Sequence, residues 1–322
     1  MVDSADRGQP RRVVFFGTPQ FAVPTLQRLV ASRHPVCGVV TQPDRPRGRG
    51  HRVSDSPVKA VALEHRIPVF QPDRLRVPEV ADAIAAWRPD LGVVAAYGKL
   101  VPETLLQIPQ HGMINVHASL LPKYRGAAPV HRAVIDGELE TGVTIMRVVK
   151  ALDAGGMFAK VTRAIGPDET SDVVERDLAE LGARLLVTVV DQIAAGTAHE
   201  DPQDDAVSTY APRLTKEEGL IDWMLRSIAI HNRVRGLYPW PHAYTYLDGN
   251  RLIVLKTHVQ DVSTDAEPGT IVGVSRDTVE VATGHHGRIA IERLQPEGKR
   301  PLAIREYVAG RPIRPGARFT GP

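Results

Sequence analysis

Four short apolar runs in the first half of the chain, separated by helical patterns, leave few folds open. Val13–Phe16, Val36–Val40, Leu91–Ala96 and Met113–His117 have strand length. The first three are too apolar for strands with one wet face. Between them, Phe21, Leu26, Leu29 and Val30 recur at helical spacing. Pro57–His65 reads as a helix with Pro57 in its first turn, and Glu79–Trp87 as another. A short strand is expected around Val69. This alternation predicts an α/β domain with a mostly parallel, Rossmann-like sheet and helices on both faces. Ligands bind such sheets beyond the C-terminal ends of their strands. The sheet is expected to continue through Val143–Val149 and Phe158–Ala164. A long helix is expected from Thr170 to Ala195, with Thr170 or Ser171 as its cap.

The pattern changes after Gly196. Thr197–Pro212 is polar, rich in Asp, Pro and Ser/Thr, and lacks apolar periodicity. It reads as a linker. Beyond it, Ser227–Val234 looks helical. Five short β-like runs follow: Ala243–Leu247, Leu252–Thr257, Gly269–Val274, Thr278–Ala282 and Ile289–Leu294. Turn signals such as Asp248-Gly249-Asn250 separate them, which predicts a small β-barrel. The expected boundaries are a first domain over 1–202, a linker over 203–216 and a C-terminal barrel over 217–322.

Composition excludes several classes. At 322 residues, 43% hydrophobic and 24% charged, the chain has ample material for a core. Cys37 is the only cysteine, so neither an intramolecular disulfide nor a multi-thiolate zinc site is possible; a reducing cytoplasm suits it. No signal-peptide core opens the sequence. No stretch approaches the roughly 20 apolar residues of a membrane helix, so no membrane partner is expected. The net charge of +3 is modest, but it is unevenly distributed. Residues 1–60 hold ten Lys/Arg against four Asp/Glu, and residues 286–318 hold eight against three. These regions fit either an anionic ligand or solvated faces.

Three segments carry candidate chemistry. Asn115 and His117, two apart on a strand, point to the same face. A carboxamide and an imidazole there can donate to a developing oxyanion and move a proton; a polar strand end with a satisfied histidine gives the same pattern. Gln42–Arg52 carries Arg45, Arg47, Arg49 and Arg52 among prolines and glycines, without apolar anchors. It reads as a solvated loop or a polyanion contact. Asp153, in Leu152-Asp153-Ala154-Gly155-Gly156, is either a turn residue or a carboxylate that orients an imidazole. Gly17-Thr18-Pro19 follows the first strand, but the dinucleotide and Walker patterns are absent.

In this order the pieces resemble the methionyl-tRNA formyltransferases. Phe16-Gly17-Thr18-Pro19-Gln20-Phe21-Ala22-Val23-Pro24 and Thr41-Gln42-Pro43-Asp44-Arg45-Pro46 match their N-terminal signatures. Ile114–Pro122, followed by Tyr124-Arg125-Gly126-Ala127-Ala128-Pro129, is close to diagnostic. Glu140–Met146 leads to Leu152-Asp153, and Leu214–Glu218, Ile221-Asp222-Trp223 and Pro239-Trp240-Pro241 match further on. One departure is Ala154-Gly155-Gly156, where the family commonly has Thr-Gly and then an acidic residue or proline.

The resemblance implies formyl transfer from 10-formyltetrahydrofolate to the α-amine of methionyl initiator tRNA, without a metal. It implies that Asn115, His117 and Asp153 form the catalytic centre. Ser119, Leu120, Leu121 and Pro122 would line the folate site. Arg45, Arg47 and above all Arg49 would meet the tRNA acceptor end. An OB-like C-terminal barrel would hold the stem, in a cytoplasmic monomer. The alternatives are a formyltransferase for a small amine, such as glycinamide ribonucleotide or an amino sugar, and a non-catalytic RNA-binding protein.

Overall fold

The computed structural model describes residues 8–47 and 52–321. Arg49 lies outside the described residues, as do the side chains of Arg45 and Arg47. By compactness the chain divides into two units. One comprises Met1–Pro129, Glu140–Arg163 and Glu175–Ala211; the other comprises Val130–Leu139, Ala164–Val174 and Pro212–Pro322.

The strands of the first unit are β1 (Val13–Gly17), β2 (Val36–Val40), β3 (Arg45–Arg47), β4 (Arg52–Ser54), β5 (Val69–Phe70), β6 (Leu91–Ala95), β7 (Met113–His117), β8 (Arg125–Gly126), β9 (Glu140–Arg147), β10 (Met157–Ala164) and β11 (Tyr210–Ala211). Its principal sheet runs β10-β9-β7-β6-β1-β2-β5. The pairs from β5 through β7 are parallel, whereas β9 runs antiparallel to β7. Central β1 is wholly buried, as its unbroken apolar run requires. The first three helices, α1 (Val23–Val30), α2 (Pro57–Glu64) and α3 (Pro78–Ala86), each carry proline at a first-turn position. Ser56 caps α2, its hydroxyl accepting the Lys59 N–H at 3.1 Å. A single turn, α4 (Glu103–Leu106), precedes β7. Cys37 is part of this packing: its thiol donates to the Val13 carbonyl (3.2 Å), and burial pushes it up from the ordinary thiol range.

Among the described residues, two stretches carry backbone or side-chain pairing that their composition does not predict. The arginine-rich loop begins and ends in a short antiparallel pair, β3 with β4. Asp44, at its base, is held by Lys59 and by the Gln71 amide at 3.0 Å; these hydrogen bonds keep its carboxyl below the usual range. The polar stretch before Pro212 is also structured. Asp201 bridges to Met157, Asp204 caps a short helical turn, and β11 pairs in parallel with β8. Polar composition signals accessibility here, yet the backbone groups have found partners.

In the second unit, α5 (Pro129–Asp136), which begins one residue earlier, and the 164–174 segment hydrogen-bond to α7 (Ser227–Gly236). His131 Nδ1 and the Ser171 hydroxyl both donate to the Gly236 carbonyl, each at 2.8 Å. Arg235, 6% exposed, donates to the Gly166 and Glu169 carbonyls. These bonds make the unit discontinuous in sequence. The remaining strands are β12 (Ala243–Leu247), β13 (Asn250–Gln260), β14 (Ile271–Val274), β15 (Val279–Ala282), β16 (Arg288–Pro296) and β17 (Leu302–Ala303). They form an antiparallel sheet ordered β12-β13-β16-β15-β14, with β17 on β16. The tail after Gly316 reaches both outer strands. Thr320 exchanges backbone hydrogen bonds with Tyr246 of β12, and Ala317 accepts from Ile271 of β14. Phe319 fixes the tail by stacking on Trp223 at 5.4 Å.

The long helix α6 spans Ser171–Ala195, close to its predicted limits, and α8 (Ile304–Gly310) lies near the end of the chain. No helix among the described residues is long and apolar enough to cross a membrane.

Candidate active site

The site is built from the end of β7. A Cβ added to Gly182 of α6 would come within 2.8 Å of Val116, so Val116 faces that helix closely. Alternation then turns Asn115 and His117 to the opposite face. In register they lie across from Met146 and Thr144 of β9. His117 is buried at 5% exposure, whereas Asn115 is partly exposed. Among the described residues the Asn115 carboxamide makes no hydrogen bond, so its donors remain available.

His117 is oriented mainly by the backbone. Its Nε2 lies 2.9 Å from the Tyr124 carbonyl. A carbonyl only accepts, so Nε2 carries the hydrogen and Nδ1 is the nitrogen free to change protonation. Tyr124 stands at a φ of 60°, in the left-handed region. Asp153 does reach His117: its Oδ2 is 3.7 Å from Nδ1, within ion-pair range but beyond a hydrogen bond. The same oxygen accepts the Gly126 N–H at 2.9 Å. Asp153 is also left-handed, with φ 48°. Gly155 brings its loop against β9, where an added Cβ would be 2.0 Å from the Arg147 carbonyl oxygen. The close approach therefore rests on Gly155.

The loop after β7 is tied down by side-chain hydrogen bonds. Its Leu121–Pro122 bond is cis. The fully buried Thr144 hydroxyl donates to the Ser119 carbonyl (2.8 Å) and accepts the Leu121 N–H (3.1 Å). The Ser119 hydroxyl, also buried, donates to the Lys123 carbonyl at 2.6 Å. Lys160 Nζ donates to the Leu121 carbonyl at 2.6 Å. Leu121 packs with Met146 and Met157. Leu120 is partly exposed, against Gly142. Ser119 and Leu121 thus shape the loop from inside.

Sequence reasoning missed Thr144, the Tyr124 carbonyl and Lys160. Thr144 and Tyr124 lay within stretches matching the family, but nothing local marked them. Their roles depend on β9 running back beside β7. Arg45 and Arg47 belong to β3, paired in register with Ser54 and Arg52 of β4.

The formyl transferase family model matches residues 11–190, and the model for the formyl transferase C-terminal domain matches 213–312. The methionyl-tRNA formyltransferase of Geobacter sulfurreducens is 47% identical over 308 residues, covering 96% of both chains. That of Citrifermentans bemidjiense is 48% identical over 305 residues, 95% of each. Among solved structures, the N-formyltransferase from Helicobacter canadensis, in complex with folinic acid and dTDP-3-aminofucose, has a TM-score of 0.65. It is 15% identical, with 88% of this chain and 99% of that chain covered, a likeness of fold. The sugar 3N-formyl transferase WlaRD gives a TM-score of 0.67 at 15% identity, covering 91% of this chain and all of that one. With near-complete coverage at almost half identity, the chain belongs to the methionyl-tRNA formyltransferase family.

Proposed function

We infer that the protein transfers the formyl group of 10-formyltetrahydrofolate to the α-amine of methionyl initiator tRNA. The observation that carries this reading is the near-full-length identity to methionyl-tRNA formyltransferases. The residues at the end of β7 fit a formyl donor: an available carboxamide, an oriented imidazole and a hydrogen-bonded loop sit together. The donor supplies the one-carbon unit when bound. Asn115 donates its amide N–H to the formyl oxygen as the attacking amine gives it charge. His117 takes a proton from the attacking amine at Nδ1 and gives it to the folate nitrogen as the bond from that nitrogen to the formyl carbon breaks, while the Tyr124 carbonyl holds Nε2. Asp153 faces Nδ1 and attracts the cation formed there. The loop over Ser119, Leu120, Leu121 and Pro122 forms one wall of the folate site. Its hydrogen bonds keep that wall in one shape.

Arg49, with Arg45 and Arg47, meets the phosphates of the acceptor end, and the C-terminal domain binds the stem. Catalysis falls to 1–202 and tRNA binding to 217–322, and the connecting stretch 203–216 also braces the catalytic loops through Gln203 and Thr209. The protein acts as a cytoplasmic monomer.

Incubation with 10-formyltetrahydrofolate and either methionyl-tRNA or small amines tests the reaction. Formylated methionyl-tRNA is the expected product; formylation of a small amine alone would overturn the acceptor. Arg49→Ala raises KM for methionyl-tRNA about tenfold, the scale of one charged hydrogen bond, with the folate KM unchanged. Equal KM for tRNA would remove Arg49 from the interface. Gly155→Ala forces the Asp153 loop away from Arg147. A displacement near 1 Å lowers kcat by up to about 10²-fold. Unaltered single-turnover rates in that variant would detach the loop's position from catalysis.

A further inference from the structure

The segment read as a linker grips both loops that hold His117. Gln203 is half-buried, and each end of its carboxamide is engaged. Its Nε2 donates to the Asp153 and Gly155 carbonyls, each at 2.8 Å. Its Oε1 accepts from Arg125 Nε at 3.0 Å and Nη2 at 2.8 Å. Arg125 follows Tyr124, whose carbonyl orients His117, and precedes Gly126, whose N–H holds the Asp153 carboxylate. Thr209 adds a second grip: its hydroxyl accepts the Tyr124 N–H at 2.8 Å and its carbonyl the Arg125 N–H at 2.9 Å.

A glutamine suits this place chemically. Two donors meet two carbonyl oxygens, and one acceptor meets a guanidinium fork. Glutamate would satisfy Arg125 but set a carboxylate against the carbonyls. Methionine would fill the volume and make neither set of bonds. The Gly126 N–H and the Asp153 carboxylate join the two loops directly, and Gln203 braces that joint from a third segment.

We propose that Gln203 is a positioning residue for formyl transfer, joining the Asp153 loop to the Tyr124–Gly126 loop so that both act on His117. The proposal rests on the function inferred above. Surface attachment alone would make Gln203 matter only to stability.

The experiment compares full-length wild type, Gln203→Met and Gln203→Glu in single-turnover formylation of methionyl-tRNA, each in the native and the His117→Ala background. Thermal melting is recorded for each. In the native background both variants lose at least about tenfold in kcat, the scale of a sub-ångström misplacement, while both KM values stay within about threefold. In the His117→Ala background neither substitution causes a further loss, because the ring they act through is gone. Gln203→Glu keeps the contact with Arg125, so it reports even where Gln203→Met fails to fold. A kcat within threefold of wild type in Gln203→Glu, or the same loss in both backgrounds, overturns the positioning role. Wild type that does not formylate methionyl-tRNA overturns the functional reading instead.

Discussion

Replacing His117 with alanine lowers kcat for methionyl-tRNA formylation by about 10²–10⁴, the usual contribution of a positioned acid–base group. The loss falls mainly on kcat, because the imidazole acts on the proton in transit rather than on ground-state binding. Stability also falls, by about 1–3 kcal/mol, since a buried hydrogen bond from the ring to the Tyr124 carbonyl is lost. The two effects separate by measurement: urea melts report the second and single-turnover rates in folded protein the first. A folded His117→Ala enzyme with a rate within threefold of wild type would reject the imidazole's proposed role.

Asn115→Ala is the complementary case. Removing one oxyanion donor costs about 10²–10³ in rate. Here the stability cost is close to nil, because the carboxamide has no hydrogen-bond partner among the described residues. Asn115→Asp is worse than alanine. The carboxylate has nearly the same shape, but it cannot donate and places negative charge where negative charge develops. An aspartate variant as active as wild type would sink the oxyanion assignment. Melting temperatures of all three proteins should agree within a few degrees.

The two residues were legible in the sequence for one reason. A period of two fixes side-chain direction within a strand, so Asn115 and His117 share a face wherever the strand goes. Asp153 was legible only as a candidate. Its reach to His117 depends on β9 running antiparallel beside β7, a long-range pairing that no local pattern states. The Tyr124 carbonyl left no signal, because a backbone acceptor is carried by every residue. Gln203 was masked by its neighbours: Asp, Pro and Ser around it read as an accessible connection. The discontinuity of the second unit is hidden in the same way. His131, Ser171 and Arg235 join stretches far apart in the chain, and each is an ordinary polar residue in isolation.

The tail from Gly316 to Thr320 has a consequence for association between molecules. An outer strand normally offers a row of unpaired N–H and C=O groups, a template on which another chain can add. In the second unit the same few residues occupy part of both templates, on β12 and on β14. The stacked Phe319–Trp223 pair holds them there. The tail thus acts as a selvedge, finishing the two borders of the sheet so that neighbouring copies find less to weave into.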